Sequence, residues 1–177
     1  MTGFEYQVAW HMIAEGMVQE GLAITRTIHD RYHPARRNPW NEVECGDHYA
    51  RAMASYGVFL AACGYEHHGP KGHLGFAPKL GVENFRCAFT TAEAWGTYSQ
   101  RAEGNGQKSD IEVKWGQLRL RTLALAVAGN TKPTKATVTA GGIEIAASLA
   151  LNDGRAQISL TREALVKAGE MIEVRLS

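Results

Sequence analysis

The sequence lacks most of the features that would assign it to a special class of protein. Only three cysteines occur in 177 residues, Cys45, Cys63 and Cys87, and no two of them form a CxxC pair. So sparse and odd a set predicts reduced thiols and a cytoplasmic location. No basic segment followed by an apolar one opens the chain, so a secretory signal peptide is not expected.

An excess of charge and long apolar runs are also lacking. The 19 Lys and Arg residues are balanced by 18 Asp and Glu, which leaves a net charge of +1. No basic field is therefore available to attract nucleic acid or an anionic membrane. No apolar run approaches the roughly 20 residues that a membrane helix needs, so no membrane span is expected. Such a composition is typical of a globular protein with one domain or two small ones.

Residues 4–63 have the periodicity of helices. Apolar residues recur at three- and four-residue steps near the start: Val8, Met12, Ile13 and Met17. Gly16 and Gly21 predict a division of this stretch into two helices. A third, apolar helix is predicted between Asp47, which is a favourable N-cap, and Gly64, which is a favourable C-terminal residue. Because that helix is apolar on nearly all sides, the sheet, a partner subunit or further sequence should cover it.

The second part of the chain has the alternation of strands. In "IEVKWG", Ile111, Val113 and Trp115 are predicted to share one face, with polar side chains on the other. The continuously apolar "TLALAVA" predicts a strand that enters a core or changes face at a bulge. Two dipeptides predict tight hairpins that separate three strands over 134–160: Gly141-Gly142 and Asp153-Gly154. The predicted class is α+β, with a helical segment at 1–71 and an antiparallel β-sheet or small sandwich at 72–177.

The stretch "NPWNEVECGDHYARAMASY" at 38–56 concentrates hydrogen-bonding groups at the start of the third helix. One interpretation is structural: Asp47 caps the helix and pairs with Arg51, while Glu42 and Glu44 are loop acids near a helix N-terminus. Trp40 then closes an apolar edge, and composition alone favours this interpretation.

The same stretch also has the chemistry of a sugar site. A carboxylate of Glu42 or Glu44 together with the Arg51 guanidinium could bind adjacent hydroxyls through charge-assisted hydrogen bonds. Trp40 could supply a ring for an apolar sugar face, and His48 could lie at the edge of the pocket. Clefts between helices are common ligand sites.

A resemblance favours the second interpretation. The start of the chain, "MTGFEYQVAWHMIAEGMVQEGL", resembles a segment "TG..Y..A..MI.EG" found late in glucosylceramidase-type β-glucosidases, glycoside hydrolase family 116. The matching residues are Thr2, Gly3, Tyr6, Ala9, Met12, Ile13, Glu15 and Gly16. "NPWNEVECGDHYARAMASYGVFLAA" resembles the acid-containing loop and helix that follow in that family. Order and spacing agree over residues 1–64.

The resemblance implies a fold, an activity and a set of binding residues. Family members consist of a β-sandwich followed by an (α/α)6 barrel, and they hydrolyse β-glucosides with retention. Glu42 is the best match for the sugar-binding Glu of the family, Glu44 is second, and Arg51 matches a family Arg. Both catalytic carboxylates precede the "TG..Y..A" segment in the family. Neither is therefore expected in these 177 residues, and the chain alone is expected to be inactive.

Other signals in the sequence are weaker. His67, His68 and His73 could bind zinc, but adjacent histidines in a Gly- and Pro-rich loop lack a defined ligand geometry, so no metal and no cofactor is expected. Trp115 with Arg119 and Arg121 could suit single-stranded nucleic acid, although a half-exposed strand face explains them more simply.

Three hypotheses follow from the sequence. The leading one is the C-terminal part of a β-glucosidase-like enzyme, whose partners are a β-glucoside and the upstream catalytic portion. The second is a non-catalytic carbohydrate-binding or accessory module. The third is a structural protein whose apolar helices form a homo-oligomer.

Overall fold

The computed structural model describes residues 2–36, 41–42, 49–50, 52–129 and 131–177, with only the backbone described at 36, 41–42, 49–50 and 52. Helices precede the main β-sheet along the chain, which confirms the predicted α+β class. Two compact units are present, Met1–Gly64 and Tyr65–Ser177. None of the described helices has both the length and the apolarity that a membrane crossing requires. The identity of the first unit as the end of a barrel stays a prediction.

The described residues of the helical unit form helices, a 3-10 turn and a short antiparallel strand pair: α1 Thr2–Ala14, α2 Val18–His29, the turn Pro34–Arg36, β1 Asn41–Glu42, β2 Tyr49–Ala50 and α3 Ala52–Cys63. The predicted break at Gly16 is confirmed, because this residue lies between α1 and α2 with a φ of +90°. The predicted break at Gly21 is wrong, since Gly21 lies inside α2.

Gly21 is needed for helix packing rather than for a turn. A Cβ at this position would lie 2.6 Å from Ile13 Cγ1 and 2.7 Å from the Ala9 carbonyl oxygen. Ala9 and Ile13 are fully buried and pack with Val58 and Ala61 of α3. The missing side chain therefore lets α2 approach the backbone of α1 across the core of this unit.

The third helix is covered on one side only. Val58, Ala61 and Cys63 are buried, whereas Met53 is 76% exposed and Tyr56 is 42% exposed. An apolar surface of this kind is typical of a face that packs against another protein element.

We predict that Gly21→Ala destabilises the helical unit by about 1–3 kcal/mol, because the added methyl group meets a backbone oxygen that cannot turn away. Gly57→Ala is the matched control within α3. The three atoms nearest to its Cβ would belong to the Trp10 side chain, the closest at 3.3 Å, and the gain of about 1 kcal/mol in helix propensity should offset that contact. Urea unfolding followed by circular dichroism measures both. Equal stability of the two variants would contradict the packing role of Gly21.

The second unit is built around one long strand. Its strands are β3 Glu66–His68, β4 His73–Phe76, β5 Asn84–Thr90, β6 Ala94–Glu103, β7 Gly106–Ala126, β8 Ala136–Ala140, β9 Ile143–Ile145, β10 Ala147–Asn152, β11 Arg155–Lys167 and β12 Met171–Leu176. The first half of β7 pairs with β6 and β12, and its second half pairs with β4 and β11. One half of the sheet therefore has the order β5-β6-β7-β12-β8-β9, and the other has the order β3-β4-β7-β11-β10.

Both predicted hairpins are confirmed, at 141–142 between β8 and β9 and at 153–154 between β10 and β11. Two features differ from the prediction. Four strands rather than three occupy 136–167, because β9 and β10 belong to different halves of the sheet and are separated only by Ala146. The sheet is also mixed rather than purely antiparallel, since β4 pairs with β7 in parallel.

The predicted face of Trp115 is wrong. Ile111 and Val113 are fully buried, but Trp115 is 59% exposed. The register of β6 on β7 shifts between the pairs Trp95–Trp115 and Gly96–Val113, which leaves Lys114 as an extra residue. This bulge turns Trp115 to the outer surface, opposite Trp95.

The core of this unit contains polar groups as well as apolar ones. The buried Tyr98 ring stacks on Phe76 with 3.9 Å between the centroids, and its hydroxyl donates to Gln100 Oε1 at 2.5 Å. The Gln107 amide donates to Ser109 Oγ at 3.0 Å and to the Ala126 carbonyl at 3.1 Å. These bonds satisfy buried amide groups within β6 and within β7.

Candidate functional site

The predicted sugar-binding residues lie mostly outside the described part of the chain. This applies to Trp40, Glu44, His48 and Arg51, and for Glu42 only the backbone is described. Glu42 belongs to β1 and pairs with Tyr49 of β2, while Asn41 pairs with Ala50. This antiparallel pairing places the backbone of Glu42 beside a segment that comes immediately before residue 51.

A groove lies between α1 and α2, with a volume of about 470 Å³. Its lining is mainly apolar, and two of the lining side chains are largely exposed, Phe4 by 61% and Val8 by 51%. At its rim, Arg31 Nη1 donates to Glu5 Oε1 at 3.0 Å. This hydrogen bond lowers the pKa of the Glu5 carboxyl. The chemistry suits an apolar side chain or helix better than a sugar.

A second groove lies in the β unit, and we name it the Trp115 groove. It consists of a cavity of about 590 Å³ and an adjoining one of about 270 Å³, which share Ala92, Glu93 and Gln117. Trp115 and Lys167 line the larger cavity, and His67 and Arg119 line the smaller one. The groove therefore combines an exposed aromatic ring with carboxylate, carboxamide and cationic side chains.

The wall of this groove is fixed by the turn between β5 and β6. Thr91 N–H donates to the Ala94 carbonyl at 2.7 Å, and Ala94 N–H donates to Thr91 Oγ1 at 3.0 Å. The Gln117 N–H donates to the Glu93 carbonyl at 3.1 Å. Glu93 and Gln117 are thus held side by side through their backbones.

Gly116 permits this close approach. Its φ is +75°, and a Cβ would lie 1.9 Å from the Glu93 carbonyl oxygen. On the other side, the Gly116 carbonyl accepts from Ala168 N–H at 3.0 Å. Three segments, the 91–94 turn, the β7 bulge and the turn after β11, therefore meet at one glycine.

Three polar groups of the groove are free to bind a ligand. Within the described part of the chain, no hydrogen-bond partner is found for the Glu93 carboxylate, the Gln117 amide or the Trp115 indole N–H. Arg119 differs, because its Nη1 lies 3.7 Å from Glu163 Oε2. The free groups include both donors and acceptors.

The sequence suggests a basic aromatic face formed by Trp115, Arg119 and Arg121, but the structure gives these side chains other neighbours. Arg121 Nε lies 3.0 Å from Glu163 Oε2, the same oxygen that approaches Arg119. One carboxylate thus offsets both guanidinium groups, and Trp115 shares its groove with Glu93 and Gln117 instead. The sequence signal for the groove was the Trp-Gly pair inside a strand pattern, since an isolated glycine there indicates a bulge.

The histidines of the "HHGPKGH" segment take part in structural contacts. His68 Nδ1 accepts from Lys71 N–H at 3.3 Å. His73 Nδ1 lies 2.8 Å from Thr122 Oγ1, and its Nε2 lies 3.5 Å from Glu66 Oε2. No group of three or more His, Cys, Asp or Glu side chains among the described residues is arranged to hold a metal ion.

Glu66 joins this cluster to the rest of the sheet. Arg155 Nη1 donates to Glu66 Oε1 at 2.5 Å, and Arg155 Nη2 donates to the Ala124 carbonyl at 3.3 Å. The hydrogen bond from Arg155 is the main cause of a lowered pKa at the Glu66 carboxyl, with a further contribution from His73. The cluster therefore ties β3 and β4 to β7 and β11.

We predict that Glu66→Gln destabilises the protein by about 1 kcal/mol at neutral pH, a value reduced for the 48% exposure of the Glu66 side chain. A carboxyl whose folded pKa is lowered stabilises the fold above its unfolded pKa and loses that effect as the pH falls through the folded pKa. The difference from the unsubstituted protein should therefore shrink below about pH 4. Glu144→Gln, at an exposed site on β9, is the control in urea unfolding across pH. A difference that does not change with pH would contradict the ion pair.

We predict that Gly116→Ala is one of the most damaging single substitutions in the β unit, with a loss of about 3 kcal/mol or more, because a backbone carbonyl must move. Gly104→Ala is the matched control. It also has a positive φ, of +59°, but no atom lies within 4 Å of its added Cβ. The control should cost only about 1 kcal/mol of backbone strain. Thermal unfolding compares them, and equal losses would rule out the close approach.

The chain was compared with known proteins. No protein-family model matches it, and the comparison with curated proteins finds no match. Among solved structures it is similar to a GH127 β-L-arabinofuranosidase from Geobacillus stearothermophilus T6, with a TM-score of 0.40 and 14% identity over 72% of this chain. It is also similar to an α-L-rhamnosidase from Dictyoglumus thermophilum, with a TM-score of 0.38 and 11% identity over 72% of this chain. A third is described as a glycoside hydrolase, with a TM-score of 0.36 and 14% identity over 72% of this chain.

The chain spans only 18%, 14% and 19% of the lengths of these three structures. Similarities of this size do not establish a family, an activity or a substrate for the chain. The resemblance of residues 1–64 to family 116 therefore stays a prediction.

Proposed function

We propose that this chain is the C-terminal part of a glycoside hydrolase of the β-glucosidase type, and that it contributes sugar-binding groups to a catalytic centre supplied by another segment. Glu42 and Arg51 bind the glucosyl hydroxyls in this proposal, with Glu44, His48 and Trp40 beside them. The proposed substrate class is β-glucosides.

The pairing of β1 with β2 is the observation that carries the proposal. The Glu42 backbone lies opposite Tyr49, and Ala50 comes directly before residue 51 in the chain. A carboxylate and a guanidinium carried by neighbouring backbone segments can bind two adjacent hydroxyls of one pyranose in a bidentate manner. The structural alternative, in which these acids only cap α3, does not require the two segments to pair.

The residues of the "TG..Y..A..MI.EG" resemblance also support the proposal. Ala9 and Ile13 are fully buried between the helices, and Thr2 Oγ1 lies 2.7 Å from the Tyr32 hydroxyl. Gly16 ends the motif in the left-handed region that separates α1 from α2. The matching residues therefore determine how two neighbouring helices pack. A helical barrel is built by repeating such helix pairs.

The exposed apolar groove between α1 and α2 fits the same proposal. Phe4 and Val8 lie on its open side, and the carboxylate of Glu5 is already paired with Arg31. A further helix packed here would bury two large side chains without removing an unpaired charge from water. Helices of an upstream barrel segment are the proposed occupant.

No residue of this chain is assigned as catalytic. A retaining mechanism needs a nucleophile and an acid/base carboxyl about 5–5.5 Å apart. The resemblance places both in the segment that supplies the rest of the centre. The role of this chain is therefore to bind and orient the sugar.

We predict no hydrolysis of an aryl β-glucoside by this chain alone, and hydrolysis when it is produced together with the coding sequence that precedes it. In the active form, Glu42→Gln and Arg51→Met should each lower kcat/KM by about 10–100-fold, because each removes a charge-assisted hydrogen bond to the sugar. Glu20→Gln, at an exposed site on α2, is the matched control and should leave kcat/KM unchanged. Absence of activity in the combined form, or full activity in both variants, would refute the proposal.

A further inference from the structure

We propose that the Trp115 groove is a separate carbohydrate-binding site, formed by the β unit alone, for a neutral oligosaccharide. The inference does not rest on the proposed function, because the described residues that line this groove all belong to the β unit. It rests on an exposed aromatic ring, unpartnered polar groups, the shape of the groove and its charge balance.

The aromatic ring is held in place and open to a ligand. Trp115 is 59% exposed, and it follows directly on the bulge at which β7 leaves the register of β6. The next residue, Gly116, fixes the backbone against the 91–94 turn. A large indole on a rigid strand offers an apolar face to the C–H groups of a sugar at little cost in conformational entropy.

Polar groups stand beside the ring with unused hydrogen-bonding capacity. The carboxylate of Glu93 accepts, whereas the amide of Gln117 both donates and accepts. Their backbones are hydrogen-bonded to each other at 3.1 Å, so their side chains leave the wall of the groove from adjacent points. Paired acceptors and donors of this kind match the vicinal hydroxyls of a pyranose. A purely apolar ligand would leave them without partners and would lose affinity.

The shape favours a chain of sugars over a single one. The larger cavity, about 590 Å³, continues past Glu93 and Gln117 into the smaller one of about 270 Å³. Drug-sized ligands occupy pockets of about 300–1,000 Å³, so the two cavities together can hold more than one ring.

The charges favour a neutral ligand. Glu93 and Lys167 carry opposite charges along the larger cavity, and the Arg119 guanidinium in the smaller one lies 3.7 Å from Glu163. A polyanion such as nucleic acid needs several uncompensated cations. The Trp115 groove does not provide them, so an uncharged polyhydroxylated chain is the matching occupant.

Binding of neutral oligosaccharides to the full chain tests the inference. The probes are gluco-, xylo-, manno- and arabino-oligosaccharides of about two to six units, titrated to about 10 mM by calorimetry and followed by tryptophan emission. We expect at least one series to bind, with affinity that increases with length. Trp115→Ala should weaken it about tenfold or more, and Glu93→Gln by several-fold.

Matched variants locate the site. Trp10→Ala removes an indole of similar exposure, 46%, from the helical unit and should leave oligosaccharide binding unchanged. Glu42→Gln and Arg51→Met should also leave it unchanged, so that a failure of the proposed glucosyl site is distinguished from a failure of this one. Trp115→Phe, which keeps a ring, serves as a second variant if Trp115→Ala unfolds, and should retain part of the affinity.

Three outcomes would overturn the inference. The first is that no oligosaccharide in the panel binds to the folded chain. The second is that binding persists in Trp115→Ala and Glu93→Gln. The third is that a single-stranded oligonucleotide binds and competes through Trp115, which would assign the groove to nucleic acid.

Discussion

The β unit depends on the close backbone contact at Gly116. Strand β7 belongs to both halves of the sheet, and next to this residue it changes from pairing with β6 to pairing with β11. The change is possible because a glycine with a φ of +75° lets the Glu93 carbonyl approach to where a Cβ would stand. This close approach therefore permits the change of partner directly after the bulge that exposes Trp115.

The buried polar network stabilises the same region. Gln107 and Ser109 lie on β7, and Tyr98 and Gln100 lie on β6, with all four side chains almost completely buried. Burial raises the pKa of the Tyr98 hydroxyl, which therefore stays a neutral donor to Gln100. The Tyr98 hydroxyl also lies 3.5 Å from Ser109 Oγ, and this contact links β6 to β7. Loss of the partner of a buried amide in either strand would cost about 1–3 kcal/mol.

Short sequence motifs predict those features that depend on the conformation of a few adjacent residues. Asp153-Gly154 and Gly141-Gly142 predicted their hairpins, because the backbone conformations they favour are those of tight turns. The parallel pairing of β4 with β7 was missed, because it joins residues about fifty positions apart and leaves no local pattern. The sequence pattern predicts a break at Gly21, whereas the role of this residue depends on the approach of Ala9 and Ile13 from another helix. The strand pattern predicts the wrong face for Trp115, because one extra residue inverts a two-residue period.

The two units differ in the chemistry of their open surfaces, and this difference argues for different roles. The groove of the helical unit is apolar, and its one ion pair, Arg31 with Glu5, is already formed, so what it can gain from a ligand is mainly buried apolar area. The Trp115 groove has a smaller apolar share, yet the side chains of Glu93 and Gln117 keep hydrogen-bonding capacity that no residue in the described part of the chain uses. Apolar area without free polar groups favours association with another helix, whereas a ring flanked by free donors and acceptors favours a hydroxylated ligand. These differences support the proposals of helix packing at the first surface and of carbohydrate binding at the second.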